Sequence, residues 1–385
     1  MELIPRWLPE ILILTAVGLA QFQLARWLLE DERRRNSVRA RIAIYGFFSL
    51  ALLAVAAVCA TKSARVSALF PGGHRAWSSA AALLYSMVLV GGVMANLAWR
   101  HVLAPAFNPR RRTLLNTART AVLAAPAAVV GFGVFVERRQ FEVKEVEIPI
   151  PGLPKDLDGL RLVQLSDIHR SAYLSQEELE HVIGMANECR AHVALVTGDL
   201  ITRGGDPLDA CLDELATLRS DAGTFGCLGN HEIYAKAERY TKVRGAALGM
   251  RFLRDEAAEL RFGGAVLNFA GVDYQRQSHP YLRGAKRQIR PGAVNILLSH
   301  NPDVFPTAAG QGYDLTISGH THGGQVSVEI LHQHVNVARF FTPYVYGLYR
   351  EGNSSVYVTR GIGTVGMPAR IGAPPEVALI RLCAT

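Results

Sequence analysis

Two textures divide the chain. Through the first third, apolar residues run on without charge: Ile42–Ala60 holds 19 such residues, Trp77–Trp99 holds 23 and Thr120–Val136 holds 17. Each is close to the roughly 20 apolar residues that a bilayer-spanning helix needs. Leu8–Ala25 is a weaker fourth run, interrupted by Pro9, Glu10, Gln21 and Gln23. From about Glu142 the pattern changes to short β-rich runs bounded by turn residues. Strands are predicted at Arg161–Leu165, Val193–Thr197, Phe225–Leu228, Ala265–Val272, Ile296–Ser299, Leu315–Ser318, Val356–Arg360 and Val377–Leu382. Between the first two, Ser175–Cys189 carries Leu179, Val182, Ile183 and Met185 at helical spacing, and Ser175 followed by Glu178 is a capping-box pattern. Asp206–Leu218 repeats the theme. This early β-α-β-α-β alternation implies parallel strands with helices packed outside. Later strands come with fewer helices, so a mixed or two-sheet core is expected. Two domains follow: residues 1–136 as a transmembrane anchor region of about four helices, and residues 137–385 as an α/β domain.

The 385 residues are 49% hydrophobic and 19% charged, with a net charge of +8. The excess is local. Residues 1–136 carry 15 Lys and Arg against 5 Asp and Glu, while residues 137–385 carry 26 against 28. A nucleic-acid binder needs a basic surface on its folded domain, so nucleic acid is not an expected partner. The arginines mark loops instead: six lie in Arg26–Arg41, five in Arg100–Arg119, and Lys62–Arg75 holds three basic residues. The positive-inside rule puts the two richest loops in the cytoplasm. The expected location is therefore the cell (inner) membrane, multi-pass, with the larger domain extracytoplasmic. Arg110–Leu115 also has the look of a twin-arginine export signal, which would export the same domain. Few polar groups interrupt the spans, so an anchor is expected rather than a transporter. Five cysteines without a CxxC pair exclude a dense disulfide scaffold.

The chemistry concentrates where strands end. Ser166-Asp167-Ile168-His169 follows one strand, Thr197-Gly198-Asp199 ends the next, and Gly229-Asn230-His231-Glu232 ends a third. Ser299-His300-Asn301-Pro302 and Gly319-His320-Thr321-His322-Gly323-Gly324 follow two others. In open α/β sheets ligands bind beyond the carboxyl ends of strands. One Asp before a turn is commonly a cap, and one His commonly structural. Asp167, Asp199, Asn230 and five histidines converging on one rim is a different matter. Imidazole and carboxylate without thiolate suit Mn, Fe, Zn or Co, and two such ions can clamp both oxygens of an in-line displacement.

These five motifs, in this order, resemble the calcineurin-like metallophosphoesterase superfamily, and specifically its membrane-anchored bacterial branch. Thr359–Gly363 adds a Thr-Arg-Gly-Ile-Gly segment of that branch. The resemblance implies two stacked mixed β-sheets flanked by helices. It implies two divalent metal ions, the first held by Asp167, His169, Asp199 and His322 and the second by Asp199, Asn230, His300 and His320. Asp199 would bridge, a hydroxide between the metals would be the nucleophile, and His231 would be a catalytic acid or charge partner rather than a ligand. The implied activity is hydrolysis of a phosphoester or pyrophosphate bond in a phosphorylated substrate, with lipid-linked phosphates favoured by an anchored site. Arg360 and Arg370 are candidate phosphate clamps in the late loops. The alternative, a metal-containing membrane sensor or scaffold binding a phosphorylated ligand without turnover, is disfavoured by the intact His231 and seven ligands.

Overall fold

The protein is described by a computed structural model covering residues 8–30, 35–60, 72–102, 124–275, 281–330 and 333–385. It divides into two compact units, Met1–Phe132 and Gly133–Thr385.

The first unit contains helices at Leu8–Leu28, Val38–Ala60 and Gly72–Val102. Among the described residues, Ile11–Leu28, Val38–Cys59 and Trp77–Ala98 are long and apolar enough to cross a membrane. Their apolar side chains largely face outward: Leu19, Leu50 and Leu53 are each about two-thirds exposed. That is the inverse of a soluble helical core and fits a hydrocarbon surrounding. Gln21, one of the residues that weakens the first run, is buried and donates to Tyr85 Oη at 2.8 Å. Its polarity is thus turned inward, where it does not oppose a span. Of the Thr120–Val136 run, residues 124–135 are helical. The first residues of that run, the Arg110–Leu115 segment and most of the Lys62–Arg75 and Arg100–Arg119 loops lie outside the described residues.

The second unit is built on two six-stranded mixed sheets. The strands are β1 (Glu142–Ile150), β2 (Arg161–Leu165), β3 (Val193–Thr197), β4 (Thr224–Cys227), β5 (Met250–Phe252), β6 (Glu256–Phe262), β7 (Ala265–Gly271), β8 (Val294–Leu298), β9 (Leu315–Ser318), β10 (Ser327–Ile330), β11 (Gln333–Asn336), β12 (Gly347–Glu351), β13 (Ser354–Val358) and β14 (Glu376–Ala384). One sheet runs β1-β14-β2-β3-β4-β5 and the other β12-β13-β9-β8-β7-β6, while β10 and β11 form a separate hairpin. Within them β2 through β5 are mutually parallel, as are β13, β9, β8 and β7. Antiparallel partners, β14 in the first sheet and β6 and β12 in the second, make both mixed.

Alternation along the strands assigns the layers. In β3, Val193 and Leu195 enter the core between the sheets, whereas Ala194 and Val196 face the outer helices. Leu162, Phe225, Phe269, Ile296 and Ile317 join the central layer. The helix Gln176–Glu188 packs outside through Leu179, Val182, Ile183 and Ala186. Ala186 occupies the place on that face where the sequence pattern puts Met185, which is half-buried. The capping box forms as the sequence predicts, with Ser175 Oγ accepting from Glu178 N at 3.1 Å and Glu178 Oε2 accepting from Ser175 N at 2.8 Å. Gln164 of β2 ties the sheets together by donating to Thr197 Oγ1 at 2.8 Å and to the Ser318 carbonyl of β9 at 3.0 Å. The carboxyl ends of β2, β3 and β4 are thereby held against those of β8, β9 and β13.

Candidate metal centre

Every predicted site residue leaves the carboxyl end of a parallel strand, and the structure brings seven of the eight into overlapping clusters, with Asn230 buried beside His231 in sequence. Asp167 and His169 follow β2, Asp199 follows β3, and Asn230 and His231 follow β4. His300 follows β8, and His320 and His322 follow β9. Asp167, His169, Asp199, His300 and His322 are almost wholly buried. Three groups are close enough to share an ion: Asp167 with His169 and His322, His169 with Asp199 and His231, and Asp199 with His300 and His320. His169 and Asp199 each belong to two of them, so the groups form a continuous chain.

The distances are short throughout. His169 Nε2 lies 3.1 Å from His322 Nε2 and 3.5 Å from Asp199 Oδ2. His322 Nε2 is 3.4 Å from Asp167 Oδ1, and His300 Nε2 is 3.0 Å from Asp199 Oδ2. His231 stands farther out, with Nε2 at 4.0 Å from Asp199 Oδ2 and its side chain 16% exposed.

Tight turns make this convergence possible. Asp167, His169, Asp199, His320 and His322 all adopt positive φ, between 46° and 77°. A non-glycine residue in this left-handed region costs about 1–2 kcal/mol, and such strain gathers where a site fixes its side chains. Two glycines are required by close approach. A Cβ on Gly229 would lie 2.1 Å from Asp199 Oδ1, and one on Gly319 would lie 2.1 Å from Ser166 Oγ and 2.3 Å from Asp167 Oδ2.

Backbone amides and carbonyls hold the side chains in register. Asp167 accepts from His320 N at 3.0 and 3.1 Å, and Asp199 Oδ1 accepts from His231 N at 2.9 Å. His300 Nδ1 bonds the Thr197 carbonyl at 2.7 Å, and His231 Nδ1 bonds the Thr202 carbonyl. A carbonyl only accepts, so each Nδ1 carries the hydrogen and each Nε2 faces the site.

Charge follows from burial and neighbours. Burial foremost lowers His169 to about 3 and His320 to about 4, and pushes His322 well below the ordinary imidazole value, with Arg370 adding to the effect. These rings stay neutral, the form in which imidazole binds metal. His300 is the exception. Burial pushes it down, but Asp199 and Asp167 outweigh that and raise it to about 10. Burial likewise pushes Asp199 up, yet His300, His169 and His231 hold it well below the ordinary carboxylate range.

The donor set fits divalent ions. Asn230 Oδ1 and His322 Nδ1 are buried with no hydrogen-bond partner, and orphaned buried polar atoms call for an ion or water. The two carboxylates, the neutral imidazoles and the amide oxygen are hard-to-borderline donors without thiolate, which suits Mn, Fe, Zn or Co.

Several supporting residues carry no assigned role in the sequence reading. Glu232 is fully buried, and its carboxylate accepts from Asp199 N at 2.9 Å, Leu200 N at 2.8 Å and Gly229 N at 2.8 Å. It pins the two site loops to each other. Burial and the nearby Asp199 raise it to about 6. Its signal was present as the last residue of Gly-Asn-His-Glu, where spacing alone gives it no partner. Thr202 meets His169 Nδ1 through its hydroxyl and His231 through its carbonyl, orienting both rings.

The two arginine clamps are corrected. Arg370 is fully buried, and its guanidinium donates to the carbonyls of Arg360, Gly361, Gly363 and Ala373. It closes the loop whose Gly363 N bonds the Asp167 carbonyl at 2.7 Å, so its donors are committed. Arg360 is paired with Glu376 and Glu142. Neither guanidinium is free to grip a phosphate.

Comparison with known proteins agrees with this geometry. The calcineurin-like phosphoesterase family matches residues 160–324. An uncharacterized metallophosphoesterase of Helicobacter pylori strain J99 is 30% identical over 280 residues, covering 71% of this chain and 72% of its own length. The uncharacterized metallophosphoesterase YkuE of Bacillus subtilis is 29% identical over 258 residues, covering 66% of this chain and 90% of its own. A transmembrane protein with metallophosphoesterase domain from Danio rerio is 31% identical over 287 residues, covering 71% of this chain. The chain spans 63% of that fish protein.

Proposed function

Because the chain belongs to the calcineurin-like phosphoesterase family and is a metal-dependent phosphoesterase hydrolase, we propose that its rim of strand ends cleaves a phosphoester or pyrophosphate bond with two divalent ions. Asp167, His169, Asp199 and His322 would hold the first, and Asp199, Asn230, His300 and His320 the second. The observation that carries this reading is the position of Asp199, which is shared by two of the three ligand groups. That is where a carboxylate bridging two ions belongs. Bound there, the ions supply Lewis-acid stabilisation of charge developing on the phosphoryl oxygens and acidify water near neutral pH.

The residues of the chain do the remaining work. Glu232 and the backbone amides hold Asp199 in its strained turn, so the carboxylate that would be shared by the two ions is preorganised. His231 is positioned as the proton donor to the leaving oxygen or as a charge partner of the phosphoryl group. Its Nδ1–H is anchored on Thr202, its Nε2 faces Asp199, and it is more open than His169, His300 and His322. Buried walls exclude bulk water from the carboxylates, strengthening each electrostatic contact.

We assign residues 1–136 the role of membrane anchor and residues 137–385 that of the hydrolase, on the strength of the three apolar helices. The arginine pattern supports an extracytoplasmic hydrolase, and an anchored site favours phosphates carried on lipids. The test is a substrate panel on the purified full chain loaded with Mn, Fe, Zn or Co in turn. Bis-p-nitrophenyl phosphate, p-nitrophenyl phosphate and a prenyl pyrophosphate would report diesterase, monoesterase and pyrophosphatase activity. Turnover of at least one, absent in Asp199→Asn, is expected. Tight binding of two ions with no turnover of any would favour a non-catalytic module.

A further inference from the structure

Beside His320 a cleft of about 430 Å³ opens, lined by Tyr274, Asn301, Pro302, Asp303, Phe340, Phe341 and Thr342 along with His320 itself. Phe340 and Phe341 are 84% and 76% exposed, the most exposed large apolar side chains among the described residues. They are nevertheless firmly placed. Asn336, buried just upstream, donates to the Gly323 carbonyl at 2.6 Å and accepts from Ala338 N at 2.9 Å. Downstream, Thr342 Oγ1 bonds Asp303 Oδ1 at 2.5 Å. The segment that carries the two rings is therefore tied on one side to the His320–His322 loop and on the other to the loop after His300. Solvent exposure of two adjacent Phe rings is unfavourable, and nothing in the core benefits from holding them there.

The polar groups of the cleft point to what fills it. Asn301 is satisfied by the Gln275 carbonyl and by Asp303 N, and Asp303 by Thr342. Among the described residues no Lys or Arg lines the cleft, and the Asp303 carboxylate would repel a second phosphate. Tyr274, whose ring is centred 5.3 Å from that of His320, extends the aromatic wall up to the metal-binding residues. What lies in this cleft is thus continuous with the reacting phosphate, uncharged and apolar.

We infer that the Phe340–Phe341 cleft holds the hydrocarbon chain of a phosphate-ester substrate, making these residues specificity determinants for lipid-tailed phosphates. This rests on the phosphoesterase reading above and names its substrate class. The chain would lie along Tyr274, Pro302 and the two Phe rings while its phosphate reaches His320.

A homologous series of alkyl p-nitrophenyl phosphates tests it, because only the alkyl length varies around one reacting bond. Water adds its oxygen to phosphorus, the bond to the aryl oxygen breaks, and the products are p-nitrophenolate, an alkyl phosphate and a proton. The full chain in detergent, loaded with Mn, would be assayed with ethyl to octyl esters below their micellar concentrations. Its partner is the double variant Phe340→Ser/Phe341→Ser. Both residues are exposed, so the variant should fold, and its melting curve checks this. In the wild type kcat/KM should rise roughly two- to fourfold per added methylene. In the variant the rise should flatten while turnover of the ethyl ester stays within about twofold.

A length dependence that survives in the variant would overturn the inference, as would a wild type indifferent to length. Failure to turn over any ester of the series, with metal bound, would remove the diesterase reading on which the inference rests; that result is separable from the other two.

Discussion

Glu232 supports the site without being offered to a metal, and its replacement by Gln should separate activity from stability. The carboxylate takes three short N–H bonds from Asp199, Leu200 and Gly229, two on Oε2 and one on Oε1. A glutamine keeps a single acceptor oxygen. In its better orientation that oxygen retains the Asp199 and Gly229 bonds while the NH2 confronts Leu200 N–H. At least one charge-assisted bond is lost, about 1.5–3 kcal/mol. Against this stands a relief. Wild-type Glu232 is raised from 4.5 to about 6, so keeping it ionised at pH 8 costs about 2 kcal/mol, and the neutral amide escapes that cost. The two effects nearly cancel, and Tm should move by no more than about 5 °C. Asp199 nevertheless loses part of its fastening in a strained turn, and residues that orient metal ligands are typically worth about 10–100-fold in affinity or activity. The assay is metal titration and turnover of bis-p-nitrophenyl phosphate at pH 8, beside a thermal melt. Activity and metal affinity within twofold of wild type would refute the positioning role. A Tm drop of more than about 10 °C would show that the relief term was misjudged.

Three further expectations follow from the same geometry. His231→Ala should retain the full metal content while losing at least about 100-fold in turnover; loss of an ion equivalent would make His231 a ligand alongside His169 and Asp199. Gly319→Ala drives a Cβ to 2.1 Å from Ser166 Oγ and 2.3 Å from Asp167 Oδ2, so metal affinity should fall at least about tenfold and stability by roughly 1–3 kcal/mol; a variant titrating like wild type would show that the loop simply yields. In chelator-treated protein, His169 at about 3 and His320 at about 4 stay neutral when folded but bind protons near 6.5 when unfolded. The unfolded state therefore gains protons first. Stability should fall as pH drops from 6.5 toward 4, by roughly 1.4 kcal/mol per pH unit for each ring, and a Tm flat between pH 6.5 and 5 would contradict this.

Much of the site was legible because its residues sit in local contexts that repeat one physical device. A parallel strand ends, a Gly or Asp turns the chain, and a ligand follows. Asp167, Asp199, Asn230 and the histidines could be read that way, and β2, β3 and β9 have the bounds their sequence predicts. What escaped depends on partners far along the chain. Glu232 acts on Asp199 and Leu200, more than thirty residues away, and Arg370 on carbonyls whose orientation only the folded loop defines. The edge strand β1 was obscured by Glu142, Lys144, Glu145 and Glu147, since little beyond Ile148 and Ile150 is buried. Short strands such as β5 and the hairpin β10–β11 carry too few residues for alternation to register. The long apolar helices were legible from length and lack of charge alone, and Gln21 shows why a polar interruption need not end one.

The measurement that bears most directly on the two-ion site is metal content and turnover on one preparation. Purified full-length chain and its Asp199→Asn variant would be loaded with Mn, dialysed, and analysed by plasma mass spectrometry alongside hydrolysis of bis-p-nitrophenyl phosphate. Two ions per wild-type chain with turnover, and at most one ion with none in the variant, is the expected result. Hydrolysis by rigorously metal-free protein, or an Asp199→Asn chain that keeps two ions and full activity, would contradict it.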